Sequence, residues 1–190
     1  MIDDDGTTPI LMDLGSLAPS PVQITSRALA IAVQDTAAEH STMPYRAPEL
    51  FDVKTDSLID AKVDIWSLGC TMYACLVGKS PFEARSEETG GSLSPCVLGG
   101  DWRFPDEGPS STSSQQQQQQ SSHQRGRQAI APASGSATKN QDAISKSVKE
   151  IVRRCLMVEP GERPDVDELT SLIEDANPSL PEEEVIEDQL

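Results

Sequence analysis

The sequence is short of positive charge. Its 190 residues carry 15 lysines and arginines against 31 aspartates and glutamates, a net charge of −16. Such a chain has no broad cationic face for a phosphate backbone, which argues against nucleic acid as a partner. The same deficit argues against a basic patch for anionic lipid. Histidine is scarce, and His40 and His123 stand far apart. Cysteine occurs four times, at Cys70, Cys75, Cys96 and Cys155, with no Cys-x-x-Cys or His-paired spacing, so no zinc site is expected. No secretory signal is read, and a reducing, cytoplasmic setting is expected. The most apolar run, CTMYACLVG, is too short to span a bilayer. No internal repeat is visible.

What the chain does have divides it into four parts. Residues 108–141 contain six consecutive glutamines among Ser, Ala and Gly. This composition buries too little apolar area to offset a backbone ordering cost of about 1–2 kcal/mol per residue, and a disordered insertion is expected. Residues 177–190 are acidic and read as a solvated tail. The two remaining blocks, about 9–106 and 142–176, must pack together to share one core.

Within the first block, Pro9–Met12 is a short apolar run between turn formers and predicts a strand. Asp13 follows it, as a turn aspartate or a metal ligand. Ser26–His40 is alanine-rich with a serine placed to cap, and predicts a helix. MPYRAPEL is a loop, with Pro48 suited to the first turn of a short helix. From Asp60 to Gly78 the sequence predicts a helix capped by Asp60 and ended by Gly78 in the left-handed conformation. That helix has almost no polar face, so it is expected to be buried on all sides. In the second block, Ile144, Val148, Ile151, Val152, Cys155 and Leu156 trace one helical stripe. After VEPGERP a second helix begins, with Asp165 and Glu168 spaced as a capping box and Val166, Leu169, Leu172 and Ile173 on one face. The chain is mainly α.

Four short signals occur in order: Asp13-Leu14-Gly15, Ala47-Pro48-Glu49, Asp64-x-Trp66-Ser67-Leu68-Gly69 and Arg163-Pro164. Each alone is weak; the ordered set is not. Together with LMDLGS, AAEHSTMPYRAPELFD, IDAKVDIWSLGCTMYACLVGKSPFE, GGSL and EPGERP, the chain resembles the C-terminal lobe of a eukaryotic-type protein kinase. It is most similar in these motifs to the Numb-associated kinase family, in its myristoylated and palmitoylated serine/threonine branch and that branch's plant-type relatives. The resemblance covers about residues 2–105 (metal-binding turn, activation segment, central helix) and 142–175, within a closing helix pair over 142–176. It implies a mainly α C-lobe fragment with a short β element at the N-terminus and no small lobe.

The roles that follow belong to the resemblance. Asp13 corresponds to the aspartate of Asp-Phe-Gly and implies a Mg2+ ligand beside the phosphates of ATP. Leu14 replaces the usual Phe, as in that branch. Thr42 matches the threonine that serine/threonine kinases keep beside the catalytic loop. Met43, Pro44, Tyr45 and Arg46 correspond to the wall that reads the residue after the acceptor. Glu49 and Arg163 are expected to pair and clamp the activation segment to the helical base. Asp64 is expected to anchor the backbone of the catalytic loop, or to be a first-turn acid favoured by the helix dipole. Ser26, Ser41 and Thr42 are candidate phosphorylation sites.

The glycine-rich loop, the strand lysine and its glutamate, the His-Arg-Asp loop and its asparagine have no counterpart here. They are expected ahead of Met1, which then corresponds to an internal methionine of a longer kinase, and the catalytic base is expected there too. The implied reaction is phosphoryl transfer from ATP to serine or threonine of protein substrates, with no activity expected of this chain alone. A non-catalytic, kinase-derived binding or regulatory fragment is the alternative, and an all-α interaction domain ranks last. Lipidation in the branch lies near the N-terminus, and the Met-Ile start lacks the glycine that myristoylation needs. No membrane anchor is expected in these residues, and no oligomeric state is implied.

Overall fold

The computed structural model describes residues 6, 8, 10, 12, 14–107 and 144–177. The expected insertion, the acidic tail beyond Asn177, Asp13 and half of the Pro9–Met12 run lie outside them. Six α-helices are described: α1 (Arg27–His40), α2 (Lys62–Val77), α3 (Pro81–Thr89), α4 (Leu93–Gly99), α5 (Lys146–Cys155) and α6 (Val166–Ala176). Two-residue strands β1 (Val22–Gln23) and β2 (Leu58–Ile59) pair antiparallel, Val22 opposite Ile59. Among the described residues this pair lies beyond the Pro9–Met12 run, half of which is described. Ile10 and Met12 belong to no strand. The pair that forms is closed by backbone bonds Ile24 N to Ser57 O (2.9 Å) and Asp56 N to Ile24 O (2.8 Å). Such short strands leave no readable alternation.

Local chemistry explains most helix ends. Ser26 Oγ accepts from Leu29 N (3.2 Å), Ser145 Oγ from Val148 N (3.2 Å), and Asp165 Oδ1 from Glu168 N (2.8 Å). Asp165 N in turn donates to Glu168 Oε2 at 3.2 Å, completing the expected capping box. Ser80 and Glu83 form a second capping box at α3, which the sequence reading missed. Asp60 does not cap α2 in the expected way. Ala61 holds the N-cap position, and Asp60 Oδ1 accepts from Lys62 N at 2.9 Å. Gly78 ends α2 with φ +95°, a conformation that favours glycine.

The sequence has seven aromatic residues, and all seven gather in one place. Trp66, Tyr73, Phe82 and Phe104 are buried in the main core; Tyr45, Phe51 and Trp102 pack against it. Trp66 stacks on Phe82 at 5.3 Å between ring centroids, and Tyr73, Trp102 and Phe104 touch pairwise at 5.2–5.7 Å. Val152 of α5 and Leu156 just after it complete this cluster, so the two sequence blocks do share a core. A chain with few aromatics still reaches a dense centre because each one buries a large area. Gly69 lets α2 and α5 touch: a Cβ there would stand 2.6 Å from Cys155 Cβ.

Helix α2 is not buried all round. Ile65, Trp66, Gly69, Cys70 and Tyr73 face inward, while Asp64, Leu68, Thr71 and Cys75 form an exposed stripe. Among the described residues, nothing covers that face. In α6 only Leu169 is fully buried, and Val166 remains exposed. No helix among the described residues is long and apolar enough to cross a membrane.

Candidate functional site

The candidate site is the segment Thr42–Phe51, laid against the N-terminal half of α2. Prolines shape it. Pro44 and Pro48 each stand at the start of a short 3-10 turn, Met43–Tyr45 and Pro48–Leu50, where a missing N–H costs nothing. Ala47 and Pro48 are buried against the main core and pin the middle of the segment. Ser67 of α2 donates its hydroxyl to Tyr45 O at 3.0 Å and fixes the first turn from below. Ser67 stands in the Asp64–Gly69 motif, but nothing in the spacing assigned it this bond. The Tyr45 phenol is pushed above its ordinary range, first by burial and then by the charge of Glu83.

Below this segment lies a buried arginine. Arg163 is 2% exposed, and all five of its N–H donors are used. Nη1 and Nη2 donate to the two carboxylate oxygens of Glu49 at 2.7 and 2.8 Å. Nη1 also reaches Lys62 O (2.9 Å), Nη2 reaches Val158 O (2.9 Å), and Nε reaches Met157 O (2.8 Å). The guanidinium lies 5.0 Å from the Trp66 ring centroid. Lys62 Nζ returns a bond to Arg163 O at 2.9 Å. A planar fork matched to a carboxylate is the geometry that makes such a pair specific. Desolvation is offset only because no donor is left empty. The indole Nε1 of Trp66, buried beside it, has no hydrogen-bond partner among the described residues.

The other residues singled out in the sequence fall in different settings. Thr42 and Met43 are exposed; Thr42 precedes the first turn and makes no side-chain cap. Met43 Sδ stands 4.0 Å from Ser94 Oγ of α4. Arg46 turns away from open solvent toward the C-terminal end of α1. Asp64 is exposed in the first turn of α2, where the helix dipole favours an acid, and the apolar helix around it does not bury it. Asp13 lies outside the described residues. Among the described residues no group of three His, Cys, Asp or Glu side chains could hold a metal.

Among the described residues, two cavities open away from this segment. One of about 270 Å³ is lined by Tyr73, Ala84, Arg85, Glu88, Arg103 and Pro105. The other, about 400 Å³, lies between Trp102 and the turn after α5. Neither touches the Thr42–Phe51 segment. The loop between them is fastened to α5 by Lys149, which is 8% exposed and pairs with Asp106. That pairing holds the Asp106 carboxyl below its ordinary range.

The protein kinase domain family model matches residues 22–172. Serine/threonine-protein kinase ppk13 of Schizosaccharomyces pombe is 36% identical over 174 residues, covering 92% of this chain and 40% of ppk13. Serine/threonine-protein kinase ENV7 of Saccharomyces cerevisiae is 27% identical over 175 residues, covering 92% of this chain and 38% of ENV7. Serine/threonine-protein kinase 16 of Mus musculus is 45% identical over 83 residues, covering 44% of this chain and 27% of that kinase. The chain thus spans about two fifths of the length of ppk13 and ENV7.

Proposed function

The chain belongs to the protein kinase domain family, and from that premise we propose that it is the C-terminal-lobe portion of a serine/threonine protein kinase. The reaction is phosphoryl transfer from ATP to serine or threonine of protein substrates. The observation that carries the reading is the Glu49–Arg163 pair, which joins two motifs 114 positions apart and seats the Thr42–Phe51 segment on α2. A segment held this rigidly suits a surface against which a peptide is positioned, and positioning supplies much of the rate in phosphoryl transfer. In this reading Thr42 and Met43–Arg46 form the acceptor side.

Mg2+ and ATP are the family's cofactors. Asp13 is the residue assigned to the metal, and Mg2+ is usually held by one or two carboxylates together with substrate phosphates. Among the described residues no three His, Cys, Asp or Glu side chains form a metal group, and the metal's place here rests on the family. The Numb-associated branch, with its lipidated members, is the finer assignment. Its basis is the motif set from LMDLGS to EPGERP, and the four cysteines, free in the structure, suit the cytoplasmic setting proposed with it.

By this reading the 190-residue chain alone transfers no phosphate from ATP to a generic serine/threonine substrate. Catalysis above background by the purified chain would refute that. The coding region upstream of Met1 tests the rest: a small lobe and a His-Arg-Asp loop in frame support the reading, and an in-frame stop with no such product in any transcript sinks it. The exposed Leu68 and Leu76 on α2 favour one second reading, a non-catalytic fragment that binds through this face. A stable cellular product of 20.5 kDa, with no longer one, is the result that selects it.

A further inference from the structure

Arg46 occupies a position assigned above to the substrate wall, yet its guanidinium is committed elsewhere. Nε donates to Ser41 Oγ at 2.8 Å, and Nη2 donates to Ser41 O at 3.0 Å and to Ala38 O at 3.3 Å. Its Cζ lies 5.2 Å from the centroid of the Phe51 ring. Ser41 closes the circuit by donating its own hydroxyl to Ala37 O. The last carbonyls of a helix lack partners within it and carry the negative end of the dipole, so a cation there is favoured. The Arg46 backbone, meanwhile, belongs to the Met43–Tyr45 turn: its N–H bonds Met43 O at 3.2 Å. The same turn is held from beneath by Ser67.

Resting on the reading that this turn faces the substrate, we propose that Arg46 is a positioning residue whose guanidinium latches the C-terminal end of α1 to the turn through Ser41. The consequence concerns specificity. Arg46 does not read an acidic side chain on the substrate; selection at this wall falls to Met43, which is exposed, and to the backbone that the latch holds. Helix α1 becomes part of the substrate platform, and a displacement of its last turn moves the turn at Met43–Tyr45.

Amide hydrogen exchange on the whole 190-residue chain tests this with Ser41→Ala, Ser41→Thr and Arg46→Lys. Ser41 has φ −126° and ψ 140°, an extended conformation that a β-branched residue adopts readily, so threonine keeps the hydroxyl in place. Lysine keeps the charge and loses the fork. Ser41→Ala and Arg46→Lys should each speed exchange about tenfold at Glu39–Ser41 and, together with it, at Tyr45 and Arg46, as expected for losing a hydrogen bond to a charged group. Ser41→Thr should restore protection at both places. The amides of α2 should keep their native protection and report that the fold stands. Exchange at Tyr45 and Arg46 unchanged in Ser41→Ala, or no rescue by Ser41→Thr, overturns the latch. The measurement uses neither ATP nor substrate, so a failed activity assay on a longer product counts against the proposed function alone.

Discussion

Arg163 and Arg46 do similar work in different media. Each points its guanidinium at backbone carbonyls and each lies over an aromatic ring. Arg163 is sealed inside and faces a carboxylate through two bonds; Arg46 is only partly buried and, among the described residues, meets neutral acceptors. The difference teaches what burial demands. A charge removed from water needs a counter-charge and a partner for every donor, whereas water completes what neutral carbonyls leave undone at a surface.

The sharpest way to break this comparison is to strip Arg163 of its partner. Glu49→Ala should destabilise the fold by about 3–5 kcal/mol in urea unfolding, because the buried cation is left uncompensated. Replacing both at once, Glu49→Leu with Arg163→Met, should recover much of that loss. A loss below about 1 kcal/mol for Glu49→Ala would mean that Arg163 is not truly dry. Next in size is Gly69→Ala, beside the same core. Its methyl would stand 2.6 Å from Cys155 Cβ, and overpacking of this kind costs about 1–3 kcal/mol. A thermal midpoint equal to wild type would show that α5 shifts freely.

Alkaline pH probes the same dry interior without a mutation. Burial pushes the Cys70 thiol up from 9.0 to about 12, and the Cys155 thiol up from 9.0 to about 11. Both folded values lie above the unfolded one, so their contribution is fully present below pH 9 and is lost as pH rises toward 11 and then 12. The urea midpoint should be flat to pH 9 in this respect and fall beyond it. The effect should weaken in Cys70→Ala measured against its own value at pH 8. The smallest expected change is at the surface turn. Ser67→Ala removes one bond to the partly buried Tyr45 O and should cost about 0.5–1.5 kcal/mol. A larger loss would put the Thr42–Phe51 segment energetically on a par with the Arg163 centre.

The legible parts of this fold were those governed by near neighbours. Ser26, Gly78 and the Asp165–Glu168 box announce helix ends because capping acts over three or four residues. The inward stripe of α5 was readable for the same reason, and Ile151, Val152, Cys155 and Leu156 are buried as that periodicity required. The Ser80–Glu83 box was equally local and was overlooked, so its absence from the sequence reading was not a physical limit. Within the site, the pairing of Glu49 with Arg163 came from a family likeness, since no spacing rule links residues so far apart. The bond of Ser67 to Tyr45 O and the latch of Arg46 came from neither.

By itself, then, the sequence determined the ordered motif set, the helix ends and the excess of acid that keeps the surface from being cationic. Each depends on residues close in the chain or on composition. Tertiary structure alone decided which side of α2 is covered, where the short β pair forms and where the Arg46 guanidinium goes. A helix apolar nearly all round has no preferred face until a partner helix arrives, and Gly69 against Cys155 sets which face receives α5. An arginine in a loop reaches several acceptors, and the choice among them is made by where α1 ends, with Ser41 and Ala38 offering their oxygens.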